Sequence, residues 1–118
     1  MASQDYTTFF EGVSVTSTTA GASADVVYTV PSKHSAEVTL LTCSNSNTTA
    51  TITVEVYHAD DTSYHAILSS HSVALNDTYK VVGSDRLFLH PGDKVVASVS
   101  ANNMSVCISG KLYYNPTR

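Results

Sequence analysis

The chain has 118 residues, 42% of them hydrophobic and only 14% charged, with a net charge of −4. That length suits one domain around one core, while the charged share falls well below the roughly 25% usual in soluble domains. Scattered Lys and Arg residues argue against a nucleic-acid partner, which needs a basic patch, and no run approaches the ~18 apolar residues that would indicate a membrane partner.

The opening stretch, MASQDYTTFF, has neither a basic leader nor a long apolar run, so no signal peptide is read and synthesis in a cytoplasm is expected. Residues 1–24 are small, polar and rich in Ser and Thr, with Tyr6, Phe9 and Phe10 as their large side chains. This composition predicts an N-terminal arm that docks on its own domain or on a neighbour. Within it, Val13 and Val15 alternate with polar residues and allow a short edge strand.

From Asp25 the strand signal is continuous, and residues 25–118 are read as one β domain. VVYTV alternates Val26, Tyr28 and Val30 on one face and stops at Pro31, which cannot donate to a ladder. AEVTLLTCS follows, then the turn formers SNSNTT. In ATITVEVYH, Ile52, Val54 and Val56 alternate with Thr53, Glu55 and Tyr57, the clearest strand pattern in the chain. YHAILSSHSVAL predicts a strand that bends or bulges near its serines. YKVV, RLFLH, KVVASVS and MSVCISGKLYY complete the series.

Turn signals every 8 to 12 residues or so between β-branched runs define an all-β chain. The expected fold is an antiparallel, jelly-roll-like β-sandwich of about eight strands. Its expected core includes Val38, Leu40, Ile52, Val54, Val56, Leu87, Leu89, Val95, Val99 and Ile108. The same alternation puts Cys43 and Cys107 on outward faces, so two free thiols are expected instead of an inter-sheet bridge. The chain also lacks the Trp that packs against such a bridge in immunoglobulin-type domains.

Candidate chemistry concentrates in YHADDTSYHAILSSH, where His58, Asp60, Asp61, His65 and His71 are potential metal ligands. Their spacing matches no metal signature, and Asp at a β-turn has a local backbone role, so no metal is expected. No nucleophile elbow, phosphate loop or nucleotide fingerprint occurs, so neither an enzyme nor a cofactor is expected. Tyr57, Tyr64, Tyr79, Tyr113 and Tyr114 are candidates for a sugar-binding aromatic platform. Pro91, Gly92 and Asp93 predict a tight structural corner: Pro91 fixes φ, Gly92 supplies the positive φ of a type II turn, and Asp93 bonds backbone amides.

YTVPSKHSAEVTLLTCSN, followed by LFLHPGDKVVASVSANNMSVCISGKLYY, resembles a pattern in small virion proteins of tailed bacteriophages. The resemblance spans about residues 25–114 and leaves the N-terminal segment unmatched. It implies a structural, non-enzymatic part of a phage particle, made in the host cytoplasm and located in the virion. A head decoration or cement protein is the first expectation, with a tail- or fibre-associated adaptor or a carbohydrate-binding host-recognition module as alternatives. The implied partner is the major capsid protein or another virion protein; the aromatic arm adds copies of the chain itself, expected as a trimer with Tyr6, Phe9 and Phe10 as contacts.

Overall fold

The computed structural model describes residues 6–83, 86–101, 103–114 and 116. Among these residues, β-branched and aromatic runs pair into nine strands: β1 Tyr6–Val15, β2 Asp25–Thr29, β3 His34–Asn45, β4 Ala50–His58, β5 Ser63–Val73, β6 Asp77–Val82, β7 Leu87–Leu89, β8 Lys94–Val99 and β9 Met104–Tyr114. The five-stranded sheet runs β1-β9-β3-β6, with β7 also paired to β3; the four-stranded sheet runs β2-β8-β4-β5. The pairs nest: β1 with β9, β2 with β8, β3 with β6, β4 with β5. A long antiparallel hairpin rolled onto itself gives this order, and the fold is a jelly-roll β-sandwich. No helix among the described residues is long and apolar enough to cross a membrane.

Val15, Val38, Leu41, Met104, Val106 and Ile108 from one sheet meet Val27, Ile52, Val54, Val95, Ala97 and Val99 from the other. Of the expected core, Val38, Ile52, Val54, Leu89, Val95, Val99 and Ile108 are buried, while Val56 and Leu87 are half-buried against them. Aromatic pairs close both open sides of the sandwich. Phe9 of β1 stacks on Tyr28 of β2 at 4.3 Å between ring centroids, and His71 of β5 packs on Tyr79 of β6 at 4.0 Å. Burial at the first seal, with nearby Glu11 adding to it, raises the Tyr28 pKa.

Leu40 was expected inside, but it is 36% exposed, while Leu41 and Cys43 are buried. The cause is a register shift between Val38 and Leu40, where β3 carries an extra residue against β9. A bulge of this kind turns every later side chain to the opposite face. Gly110 lies opposite the bulge, and a Cβ there would run into the Glu37 carbonyl oxygen and lie 3.0 Å from Val38 Cα. Likewise, a shift between Val26 and Tyr28 buries Val27 and leaves Val26 exposed, so Val26 leaves the face it was expected to share with Tyr28 and Val30, which stay against the core. The bend expected near the serines of β5 is present: its pairing with β4 shifts twice, and Ser70 has φ 46°.

The N-terminal segment also differs from its expected form. Residues 1–5 lie outside the described residues. Tyr6–Val15 is an edge strand, paired residue for residue with β9 from Tyr6↔Tyr113 to Val15↔Met104. The short strand allowed by Val13 and Val15 therefore extends over ten residues.

Candidate functional site

Alternation along β1, β9, β3 and β7 decides which groups the five-stranded sheet turns outward. Three rows cross its outer face: Tyr6, Tyr113 and Ser35; Thr8, Lys111, Glu37 and Phe88; and Phe10, Ser109 and Leu40. Glu37 anchors the middle row and is buried on this outer face. Its Oε1 accepts a hydrogen bond from Tyr113 Oη at 2.9 Å, and its Oε2 lies 3.0 Å from Arg86 Nη1. The bond to Glu37 is the main cause of the raised Tyr113 pKa. Lys111 Nζ sits 4.8 Å above the Tyr6 ring, a cation–π contact that holds both side chains against the sheet.

Around this polar centre the apolar groups are open to solvent. Phe10 is 65% exposed and Phe88 69%. At one end, Tyr6, Thr7, His34, Leu112 and Tyr114 line an open groove of about 270 Å³. His34 Nδ1 donates to the Ser32 carbonyl at 2.9 Å, since a carbonyl can only accept, and the His34 ring leans on Tyr114 at 5.3 Å.

Of the three aromatics expected as assembly contacts, Tyr6 and Phe10 turn to this outer face and are exposed. Phe9 points to the other side, where its stacking on Tyr28 makes it part of the sandwich. An intersubunit role for Phe9 needed a free arm. That sheet alternation would separate it from Phe10 could be read only after the segment was recognised as a strand.

The four-stranded sheet has a different outer face. Residues 16–24 strap across β8. Asp25 Oδ2 accepts the backbone N–H groups of Thr16 (2.7 Å) and Ser17 (3.0 Å), and Glu55 Oε1 accepts that of Gly21 (2.8 Å). Beneath the strap, the outward Val96 and Ser98 are buried. Thr18, Thr51, Thr53, Ser70 and Ser98 contribute to a hydroxyl-lined trough of about 200 Å³.

At the Pro91-Gly92-Asp93 corner, Asp93 N–H bonds the His90 carbonyl at 3.1 Å and Gly92 has φ 85°, as a type II turn requires. Buried Asp93 accepts the N–H of Ala59 on Oδ1 (3.0 Å) and that of His90 on Oδ2 (2.9 Å). Val30 closes the corner by donating to Asp93 O and accepting from Gly92 N. One carboxylate and one turn thereby tie three chain segments together. Every polar atom of this arrangement named here has a scaffolding partner.

The histidine-rich hairpin does not converge. His58 reaches Asp93 at 3.4 Å and Asp60 at 4.0 Å, His65 pairs with Asp61 at 3.4 Å, and His71 packs on Tyr79. Among the described residues, no group of three or more His, Cys, Asp or Glu side chains could hold a metal ion. Ser63 Oγ lies 2.8 Å from His65 Nε2 and donates to Asp61 Oδ1 at 2.6 Å. This is not a catalytic relay: Asp61 faces the same imidazole nitrogen as the serine, whereas a relay needs the acid on the other one. Its bond from Ser63 lowers the Asp61 pKa.

The tyrosines also disperse. Tyr57 and Tyr64 pair at 4.9 Å on the outer face of the four-stranded sheet, Tyr79 turns inward, and Tyr113 and Tyr114 are successive residues on opposite faces of β9. Cys43 and Cys107 are free thiols. Cys43 occupies the core instead of its expected outward position, and burial pushes its pKa up to about 12, a poor nucleophile.

No family model, curated protein or solved structure matches the chain.

Proposed function

We propose that this protein is a non-enzymatic structural subunit of a tailed-phage particle, a head decoration or cement protein. It assembles with copies of itself and seats on the major capsid protein through the outer face of its five-stranded sheet. The observation that carries this reading is the solvent-open apolar rim of Phe10, Leu40 and Phe88 around the fixed Glu37–Arg86–Tyr113 centre. Large apolar side chains grouped on one exposed face mark an interaction surface, and Phe, Tyr and Arg are enriched at interfaces over the rest of a protein surface. Jelly rolls serve in capsid and lectin domains alike, so the fold agrees with this reading without selecting it.

The test is occupancy on purified particles. Phe88→Ser should leave the melting transition in place, because the ring is exposed, and should lower occupancy at least tenfold. Full occupancy by the variant would overturn the assignment of this face. A second reading, a carbohydrate-binding host-recognition module, is favoured by the groove between Tyr6, His34 and Tyr114. Saccharide binding on a glycan array that is lost in Tyr114→Ala would select it.

A further inference from the structure

The structure has strand edges of very different character. The β2 edge has five residues, a bulge and Pro31 just past its end. The β5 edge is longer, but its register shifts twice and Ser70 kinks it at φ 46°. The β6 edge is six residues long, carries Lys80 and pairs through a shifted register. Short length, bulges, Pro and Lys are the features by which sheets discourage edge-to-edge pairing. An inward-pointing charge is another such feature, and it is the one that β1 carries, at Glu11 on the Phe9 and Val13 side of the strand. The β1 strand otherwise runs ten residues in unbroken register with β9, contains neither Pro nor Lys, and is the terminal strand of its sheet.

In an antiparallel pair, alternate residues of a strand direct their N–H and C=O groups to one neighbour, and those between direct theirs to the other side. The β1 strand therefore presents an open row of donors and acceptors whose complement is another extended strand. Its side chains favour one register with itself. Pairing centred on Phe10 aligns residues 6–14 with 14–6 of the second copy. It sets Phe10 against Phe10, Thr8 against Gly12, and Glu11 against Phe9. Moving the centre to Glu11 places two carboxylates directly opposite, which is destabilising. Moving it to Phe9 shortens the overlap and sets each Phe10 against Thr8. The Phe10-centred pairing also brings a side chain over Gly12, whose bare backbone has only Cys107 Sγ within 4 Å of where a Cβ would stand.

The geometry points to a two-fold contact in which β1 of one copy pairs antiparallel with β1 of a second, centred on Phe10, joining two five-stranded sheets edge to edge. This inference rests on the self-assembly part of the proposed function and gives it a specific contact. Identical edges meeting antiparallel generate a closed, isologous pair. A threefold contact would have to use a different surface.

Cross-linking tests the register directly. Directly opposed residues have Cα atoms about 4.5–5.5 Å apart, within disulfide range, whereas two Thr8 residues would lie roughly 14 Å apart along the strands. In the full chain carrying Cys107→Ser, Phe10→Cys should give a covalent dimer under mild oxidation, and Thr8→Cys should not. Sedimentation of the unmodified protein should give twice the 12.6 kDa chain mass or an even multiple of it. Phe10→Lys should weaken that association at least tenfold with an unchanged melting transition. A folded monomer or trimer, or equal cross-linking at both positions, would overturn the pairing. Particle binding by such a monomer or trimer would leave the proposed function standing. A dimer of the unmodified chain that binds no particle would retain the edge contact and defeat that function.

Discussion

The two sheets share one core and differ on the side turned away from it. Across the four-stranded sheet, the chain supplies its own cover: residues 16–24 cross β8, held by Asp25 and Glu55, and the outward Val96 and Ser98 are buried. The five-stranded sheet has a fixed polar centre at Glu37 but leaves Phe10 and Phe88 in water. An exposed large apolar side chain is unremarkable when isolated. Several on one face mark a candidate interaction surface, and the long, regular β1 edge borders it. The strap covers part of one sheet from within the chain, with Val26 still exposed at its β2 edge; on the proposed reading a partner covers the other.

That comparison requires both inward faces to be equally intolerant of change. Val54 of the four-stranded sheet is fully buried, so Val54→Asp places an unpaired carboxylate in the core and should cost about 5 kcal/mol, near the whole stability of a small domain. The neighbouring Thr53→Asp should cost about 1 kcal/mol, because Thr53 faces outward and accepts only the Ser70 N–H bond. Chemical denaturation of both variants checks this, and equal losses would mean the face of β4 is misassigned.

The five-stranded sheet offers a sharper test at Gly110. Gly110→Ala would drive a methyl group into the Glu37 carbonyl and against Val38, where β3 bulges toward β9. The obstacle is backbone, so a rotamer change cannot relieve it, and a loss of about 3 kcal/mol is expected. A neutral result in thermal melts would show that the bulge is absent in solution and that Leu40, not Leu41, faces the core.

The bulge also explains which features were legible in the sequence. Alternation with period two located the strands and named most of the core, because Ile52, Val54, Val95, Val99 and Ile108 lie in stretches without an extra residue. It failed at Leu40 and Cys43 because a bulge is fixed by strand pairing, not by the local pattern. The Pro91-Gly92 corner could be read locally, since those residues restrict their own φ. The reach of Asp93 to Ala59 could not, because that partner is distant in sequence. Residues 6–15 read as an arm for a related reason: an edge strand with one face on the core needs few apolar residues, and Phe9, Val13 and Val15 are enough.

The smallest expected effect concerns the strap on the four-stranded sheet. The Asp25 pKa is lowered chiefly by the hydrogen bond from Ser17 N–H and next by that from Thr16 N–H, which anchor the strap. A carboxyl group whose folded pKa lies below its unfolded value contributes stability that is complete above the unfolded value, about 4, and is lost as pH falls through the folded one. Asp25→Asn keeps an oxygen able to accept the same amides but removes its charge. The native protein should therefore exceed Asp25→Asn in stability at pH 7, and the two should converge as the pH drops below about 4. The difference should stay well under about 1 kcal/mol, because the Thr16 bond is exposed to water. Urea midpoints across that range would measure it, with Phe88→Ser as the counterpart from the other sheet, showing no pH-dependent difference from the native protein. If Phe88→Ser lowered stability as much as Asp25→Asn in dilute, unassembled protein, Phe88 would be part of the fold of the isolated chain, and the face would not be waiting for a partner.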